Sequence, residues 1–240
     1  MLRTFHLGLT PAFRSTHRLA RGARRNALCG FLLVLSLFPA LHAQDIRSLA
    51  RAVDDHYNRL QTLQTDFVEI YRGNGLERQE SGTLWLKKPR KMRWEYRSPK
   101  EKLFVSNGQQ VWFYLPAERQ LRKTEFKKLD DLRSPLAFLL GKTKLENELE
   151  GLSRVVDQPP AAAGNTLLRG VPKTMKDRVS DVQLEITPSN QIARIVLTEV
   201  DGATTEFRFS SSVENGAITD SRFQFSPPPG VETIDGELGP

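Results

Sequence analysis

Alternation of apolar and polar residues, which begins after Leu63 and continues through most of the remaining chain, constrains this fold more than any other feature. Successive side chains of a β-strand point to opposite faces of a sheet, so a period of two is typical of strands with one buried face. The clearest example is MRWEYR at residues 92–97, where apolar and charged residues alternate strictly. The chain is therefore predicted to be mainly β.

Turn signals divide this alternating region into about ten or eleven strands, from residues 66–71 to residues 222–225, with a short segment at 154–156 among them. Asn-Gly at 107–108 and 215–216 and Asp-Gly at 201–202 are typical of two-residue hairpin turns. Most neighbours should therefore be antiparallel. An up-and-down meander of this length is predicted to curl into a barrel or a strongly curved sheet.

Two helices are expected beside the strands. Apolar residues recur at spacings of three and four from Ile46 to Leu63, and Asp45 is a suitable N-cap. A short, leucine-rich helix is predicted at residues 134–140, with Pro135 at its first position and Gly141 after its end. Its apolar content indicates that it covers an apolar surface.

Residues 1–43 have the composition of a secretory signal. They carry six of the 35 basic residues and no acidic residue, and they include an apolar run at residues 27–38 that is too short to span a bilayer. Cleavage is expected before Gln44, which leaves residues 44–240 as one periplasmic domain. That domain has 29 basic and 28 acidic residues, so a nucleic-acid partner is not expected.

The residues needed for catalysis or metal binding are scarce after residue 43. The single cysteine, Cys29, lies inside the apolar run rather than just after it, so neither a disulfide nor a lipid anchor is expected. His56 is the one histidine of residues 44–240. No phosphate loop or nucleophile elbow is present either. We therefore expect a soluble monomer that is not an enzyme and has no cofactor and no metal.

A basic run at residues 87–102 admits two interpretations. It can be the solvated outer face of two strands, or it can be a docking patch for an acidic protein partner or for lipid head groups. For the second interpretation the candidate docking residues are Arg90, Lys91 and Arg93.

Five segments in order carry a resemblance to a known family: GTLWLKKP at 82–89, RWEY at 93–96, VSNGQQVWFY at 105–114, Ser-Pro at 134–135 and FQFSPPPGV at 223–231. In these segments the chain resembles the LolA family of periplasmic lipoprotein carriers, and the resemblance covers nearly all of residues 44–240. It implies a mainly β (α+β) fold, a single incomplete and strongly curved antiparallel β-barrel, with short helices forming a lid over an apolar cavity.

The same resemblance implies a function. Carriers of this family hold the acyl chains of outer-membrane-directed lipoproteins in the cavity. They accept cargo from an inner-membrane ABC transporter (LolCDE-like) and pass it to an outer-membrane receptor (LolB-like). The residues expected to line the cavity are the apolar members of the first strands and of the short helix, namely Leu84, Leu86, Met92, Trp94, Tyr96, Leu136, Leu139 and Leu140.

One position departs from the family pattern. The family usually has Arg immediately before the proline at position 89, and that side chain ties the lid shut through backbone carbonyls. Here the residue is Lys88, which has three donors on a flexible stem and lacks the planar fork of Arg. By position Lys88 is the expected lid latch.

Four alternatives stay open at the level of sequence. A LolB-like receptor would need a cysteine just after the apolar run, and an RseB-like sensor would need a further C-terminal domain, for which residues 226–240 are too few. A secreted hydrolase on a β-barrel scaffold is disfavoured because residues 44–240 contain a single histidine and no cysteine. A paralogous carrier of another lipid, such as a glycolipid, has the same sequence signature.

Overall fold

The computed structural model describes residues 38–126 and 144–235. Helix α1 (Phe38–Arg59) precedes six strands: β1 (Thr62–Gly73), β2 (Leu76–Lys87), β3 (Lys91–Ser98), β4 (Lys102–Asn107), β5 (Gln110–Leu115) and β6 (Gln120–Glu125). A short helix, α2 (Leu145–Glu148), leads into β7 (Leu149–Arg154), β8 (Thr166–Pro172), β9 (Val179–Ile186), β10 (Ile192–Glu199) and β11 (Thr204–Glu214). A 3₁₀ turn (Asp220–Phe223) and β12 (Glu232–Asp235) follow.

The twelve strands of the described residues form one open sheet in the order β12-β6-β5-β4-β3-β2-β1-β11-β10-β9-β8-β7. Two antiparallel runs, β1 to β6 and β7 to β11, are joined side by side through the pairing of β1 with β11. The predicted meander is thus interrupted once, because β7 lies at one edge of the sheet and β6 lies next to β12 at the other edge. The mainly β, unclosed architecture predicted from the sequence is confirmed.

Helix α1 packs on one face of the sheet, which we call the inner face. Ala50, Val53 and Tyr57 of the helix belong to one buried cluster with residues of β1, β2, β3 and β7 to β11. Adjacent strands are about 4.8 Å apart and a helix is about 10 Å wide. A single helix can share one cluster with strands so far apart in the sheet order only if the sheet curves around it.

The opposite, outer face is covered in part by the chain between β11 and β12. Phe223 is completely buried there, and the Phe225 ring lies 5.4 Å from that of Tyr114 on β5. The chain then reaches the edge of the sheet, where β12 pairs in parallel with β6.

Five local predictions were wrong. Asp45 lies inside α1 rather than at its N-cap, since the residues before it include good helix formers and Pro39 is tolerated in the first turn. The helix ends at Arg59, so Leu63 belongs to β1. Residues 222–225 form no strand, because this segment lies on a sheet face and has no neighbouring strand to pair with; Asn215-Gly216 therefore joins no hairpin. The strand predicted at 154–156 is β7, which ends at Arg154.

Candidate functional site

Five of the predicted cavity-lining residues lie together on the inner face. Leu84 is opposite Trp94 and Leu86 is opposite Met92 in the pairing of β2 with β3. Directly opposite residues of paired strands share a face. Leu84, Leu86 and Trp94 are buried, whereas Met92 and Tyr96 are partly exposed and pack against the same cluster.

Aromatic rings fill the inner face next to these leucines. The Phe67 ring lies 4.7 Å from Trp94 and 4.9 Å from Tyr96, both in edge-to-face arrangement, and Phe207 lies 5.8 Å from Trp94. Such pairs are stabilising beyond the area that they bury. The result is a continuous apolar surface from β3 to β11 that α1 covers.

Lys88 holds the C-terminal end of α1 against this surface. Its Nζ donates hydrogen bonds to the carbonyl oxygens of Tyr57 (2.6 Å) and Asn58 (3.0 Å). The last four carbonyls of a helix lack partners within the helix, and a cation is favourable at that end of the helix dipole. Lys88, in the turn between β2 and β3, therefore supplies both a hydrogen-bond donor and a counter-charge to α1.

Other side chains tie α1 to the second half of the sheet. His56 Nε2 lies 2.8 Å from Glu214 Oε1 on β11, and the backbone N–H of Ile192 on β10 donates to the Tyr57 hydroxyl over 2.9 Å. His56, the one histidine after residue 43, thus connects α1 to β11. Together with Lys88, these contacts fix α1 to both runs of the sheet.

Asp54 makes a further tie that the sequence did not suggest. Its two carboxylate oxygens accept from the backbone N–H of Leu145, the first residue of α2, over 3.0 and 3.2 Å. Burial raises the pKa of Asp54 from 3.8 to about 6, and the Leu145 hydrogen bond opposes that rise. Asp54 is in a charged run of the helix (Asp54-Asp55), so no spacing signal marked it.

We predict that Asp54→Asn removes a pH-dependent contribution to the free energy of unfolding of the protein. A carboxyl whose folded pKa is raised contributes stability below its unfolded pKa, and this contribution is lost as the pH rises through the folded value. The free energy of unfolding of the wild type, minus that of Asp54→Asn, should therefore decrease as the pH rises from about 4 to about 6.

Urea unfolding of both proteins between pH 4 and pH 7.5 measures this difference. Asp55→Asn, one residue away, is the matched control and should show no comparable trend. A difference that is constant across this pH range would show that Asp54 is not perturbed by burial.

Charged groups gather on the inner face toward the β1–β2 hairpin. Glu69 of β1 is directly opposite Glu80 of β2, Tyr96 donates from its hydroxyl to Glu69 Oε2 over 2.7 Å, and Lys102 bonds to Glu80. Burial, and then the neighbouring Glu80 charge, raise the pKa of Glu69. The apolar surface thus has a polar boundary, marked in the sequence only by Glu69 falling in register with Phe67.

The predicted docking residues have different environments. Arg90 is exposed, and its guanidinium lies 5.6 Å from the Phe126 ring. Lys91 forms an ion pair with Asp220 (2.7 Å), and Arg93 bonds to Glu95 and to the carbonyl of Arg222. Two of the three cations are therefore engaged within the molecule, by the segment that covers the outer face.

Asp220 bridges this basic run, since it also pairs with Lys87 over 2.7 Å. These two lysines lower the pKa of Asp220 to about 2.

Leu136, Leu139 and Leu140, with the helix predicted for them, lie outside the described residues. In the part of the chain that is described, no helix has the length and apolarity to cross a bilayer.

An open, curved sheet whose apolar inner face is closed by one tethered helix is an architecture suited to enclosing an apolar ligand. Residues 58–226 match the family model described as "Outer membrane lipoprotein carrier protein LolA". The chain therefore belongs to the LolA family, a family of carriers.

Two relatives agree with this assignment. The chain is 29% identical to an outer-membrane lipoprotein carrier protein of Nitrosospira multiformis over 86% of its own length and 96% of that protein. It is 34% identical to the one from Bordetella bronchiseptica over 65% of its length and 70% of that protein. In fold it resembles an uncharacterized conserved protein from Thermus thermophilus, with a TM-score of 0.52, 13% identity and coverage of 81% of this chain and 99% of that one.

Proposed function

We propose that this protein is a periplasmic chaperone that binds the acyl chains of outer-membrane-directed lipoproteins and carries them between the two membranes. Its membership of the LolA family is the observation that carries this proposal. Burial of a methylene group stabilises by about 0.8 kcal/mol, so moving two or three long acyl chains through water unaided would be unfavourable by tens of kcal/mol. A soluble carrier must offer an equally large apolar surface in their place.

The inner face supplies that surface only if α1 moves. Leu84 and Trp94 are buried beneath α1 and its neighbours, and the helix residues Ala50 and Val53 belong to the same cluster. Acyl chains and the apolar face of α1 therefore compete for one surface. Bound cargo holds the helix open, and closure of the helix expels the cargo without ATP. Under this proposal, Leu84, Leu86, Met92, Trp94 and Tyr96 line the cavity of the open protein.

Partners and location follow from the same proposal. Residues 1–43 direct export and are removed before Gln44, and the mature protein acts in the periplasm as a monomer without catalytic activity. An inner-membrane ABC transporter (LolCDE-like) supplies the cargo and an outer-membrane receptor (LolB-like) accepts it. Exposed Arg90 is the docking residue that remains available, since Lys91 and Arg93 are held by the segment after β11.

Release of a radiolabelled lipoprotein from inner-membrane vesicles that contain the transporter tests this function. With ATP, the wild-type protein should bring lipoprotein into the supernatant as a soluble complex. If lipoprotein stays in the vesicles although the transporter hydrolyses ATP, the proposed function is wrong.

Met92→Glu is expected to lower this release at least tenfold while leaving the melting temperature within a few degrees of the wild type. Met92 is partly exposed at the border of the buried cluster, so a carboxylate there can stay hydrated in the closed protein. In the open protein the same carboxylate would face the acyl chains of the cargo. Leu84→Glu is the contrasting variant, because Leu84 is fully buried and a charge there should prevent folding. Unfolding of Met92→Glu would indicate that Met92 belongs to the core.

A further inference from the structure

A row of directly opposite residues crosses the inner face from β3 to β12. Trp94 pairs with Phe104, Phe104 with Phe113, Phe113 with Arg122, and Arg122 with Ile234. Because opposite residues share a face, all five belong to the face on which α1 packs. The row is thus apolar except for the single guanidinium of Arg122, which the register places between Phe113 and Ile234.

Arg122 has no partner in the part of the chain that the structure describes. Its Nε is buried and makes no hydrogen bond, and no carboxylate of a described residue lies within ion-pair distance of its guanidinium. Glu232, the acid that register places on the same face of β12, forms no ion pair with it. Nearly all buried polar groups in folded proteins are hydrogen-bonded, and leaving a buried donor without an acceptor is unfavourable. A ligand that offers an oxygen acceptor would remove this penalty.

Other cations on the inner face differ from Arg122 in this respect. Lys102 is bonded to Glu80, and Lys88 to the end of α1. Lys123, next to Arg122 on β6, pairs with Trp112 and so belongs to the outer face. Lys102 and Lys88 are therefore engaged within the protein, whereas the donors of Arg122 are still available to a ligand.

We propose that Arg122 binds the carbonyl or carboxylate oxygen at the head of an acyl chain, whose hydrocarbon lies along the apolar row. This inference rests on the proposed carrier function and assigns the position of the head group within it. A guanidinium has five donors in a planar fork, which suits an ester or carboxylate oxygen and offers nothing to a methyl end. The acyl ester of a lipoprotein and the carboxylate of a free fatty acid share this chemistry.

Equilibrium dialysis with three sixteen-carbon probes tests the proposal: hexadecanoate, methyl hexadecanoate and 1-hexadecene. Arg122→Met keeps an apolar stem of similar length and removes the donors. We expect it to weaken hexadecanoate at least tenfold and methyl hexadecanoate about threefold, with 1-hexadecene unchanged. Arg122→Lys should restore most of the hexadecanoate affinity. Lys123→Met, the neighbouring cation on the other face, is the matched control and should bind all three probes as the wild type does.

Carboxyl-labelled hexadecanoate gives a second readout that a merely structural role would not alter. A nearby guanidinium favours the ionised carboxylate, so the pKa of the bound probe, followed by its ¹³C shift, should be lower in the wild type than in Arg122→Met. Equal pKa values, or equal weakening of all three probes, would overturn the role of Arg122. A wild type that binds none of the probes would instead overturn the acyl-binding function itself.

The two sources of the ligand are distinguished by lipoprotein release from vesicles. If Arg122→Met lowers release in step with methyl hexadecanoate binding, the natural ligand is the acyl ester of the lipoprotein. If release is unchanged while hexadecanoate binding is lost, the site takes free fatty acid. Either result supports an acyl-head site at Arg122.

Discussion

Replacing Lys88 with leucine should slow the hand-over of lipoprotein to an outer-membrane receptor at least tenfold, while the complex with cargo still forms. The substitution removes both hydrogen bonds from Nζ to the carbonyls of Tyr57 and Asn58. Charge-assisted bonds of this kind contribute about 1.5–3 kcal/mol each, and 1.4 kcal/mol is a factor of ten in an equilibrium. The closed state, which must form again to expel the acyl chains, would therefore be much less populated.

The effect on folding should be smaller than the effect on hand-over. Leucine retains most of the apolar stem, and α1 keeps its contacts through His56 and Asp54. Lys88→Arg should remain active and hold the helix at least as firmly, since its fork can reach the same two carbonyls.

Transfer of a labelled lipoprotein from the purified complex to receptor-containing liposomes measures the rate. Lys87→Leu is the matched control, because the adjacent lysine pairs with Asp220 on the outer face and has no contact with α1 among its described bonds. Equal transfer rates for the wild type and Lys88→Leu would show that Lys88 is not a latch.

The strand pattern could be predicted from the sequence because one face of each strand is buried. Alternation located β3 almost to the residue, and the predicted Asn-Gly turn at 107–108 joins β4 to β5, where Gly108 has a positive φ. Placement of Met92, Trp94 and Tyr96 on the face opposite Arg93 follows from the same period.

Features that depend on contacts between distant residues were not predictable in this way. The pairing of β1 with β11 and of β12 with β6 leaves no local signal, and β12 is only four residues long. The tie from Asp54 to Leu145 joins groups 91 positions apart. Arg122 lies in a strand whose sequence is polar and typical of a sheet edge. Its apolar neighbours, Phe113 and Ile234, become apparent only from the pairing of β6 with β5 and β12.

The docking residues illustrate a different limit. A basic run in a sequence shows how many charges are present but not which of them are already paired. Asp220 is 129 positions after Lys91, yet it forms ion pairs with both Lys91 and Lys87. The structure shows that the segment after β11 places Asp220 against these two lysines on the outer face. Asp220 thus occupies the position that an acidic group of a partner protein would otherwise take.

Gly82 is the position in the sheet where the smallest substitution should have the largest effect on stability. It lies opposite Phe67 on β1 and opposite Tyr96 on β3, and the rings of those two residues meet 4.9 Å apart. A Cβ atom at Gly82 would lie 1.9 Å from the backbone oxygen of Glu95 and 2.9 Å from Cα of Tyr96. Both atoms belong to the backbone of β3, so no side-chain rotation can relieve the contact.

Gly82→Ala should therefore force β2 and β3 apart beside the aromatic cluster and lower the free energy of unfolding by about 3 kcal/mol or more, the upper end for overpacking. For a domain of this size, that corresponds to a fall of roughly 6–12 °C in Tm. Thermal unfolding followed by near-UV circular dichroism measures the loss and also reports the Trp94 and Tyr96 environments. Ser81→Ala, the adjacent and partly exposed position on β2, should change Tm by no more than about 2 °C, as expected for a substitution that creates no clash. An equal Tm for Gly82→Ala and the wild type would mean that the backbones of β2 and β3 do not approach as closely as the pairing of Gly82 with Tyr96 requires.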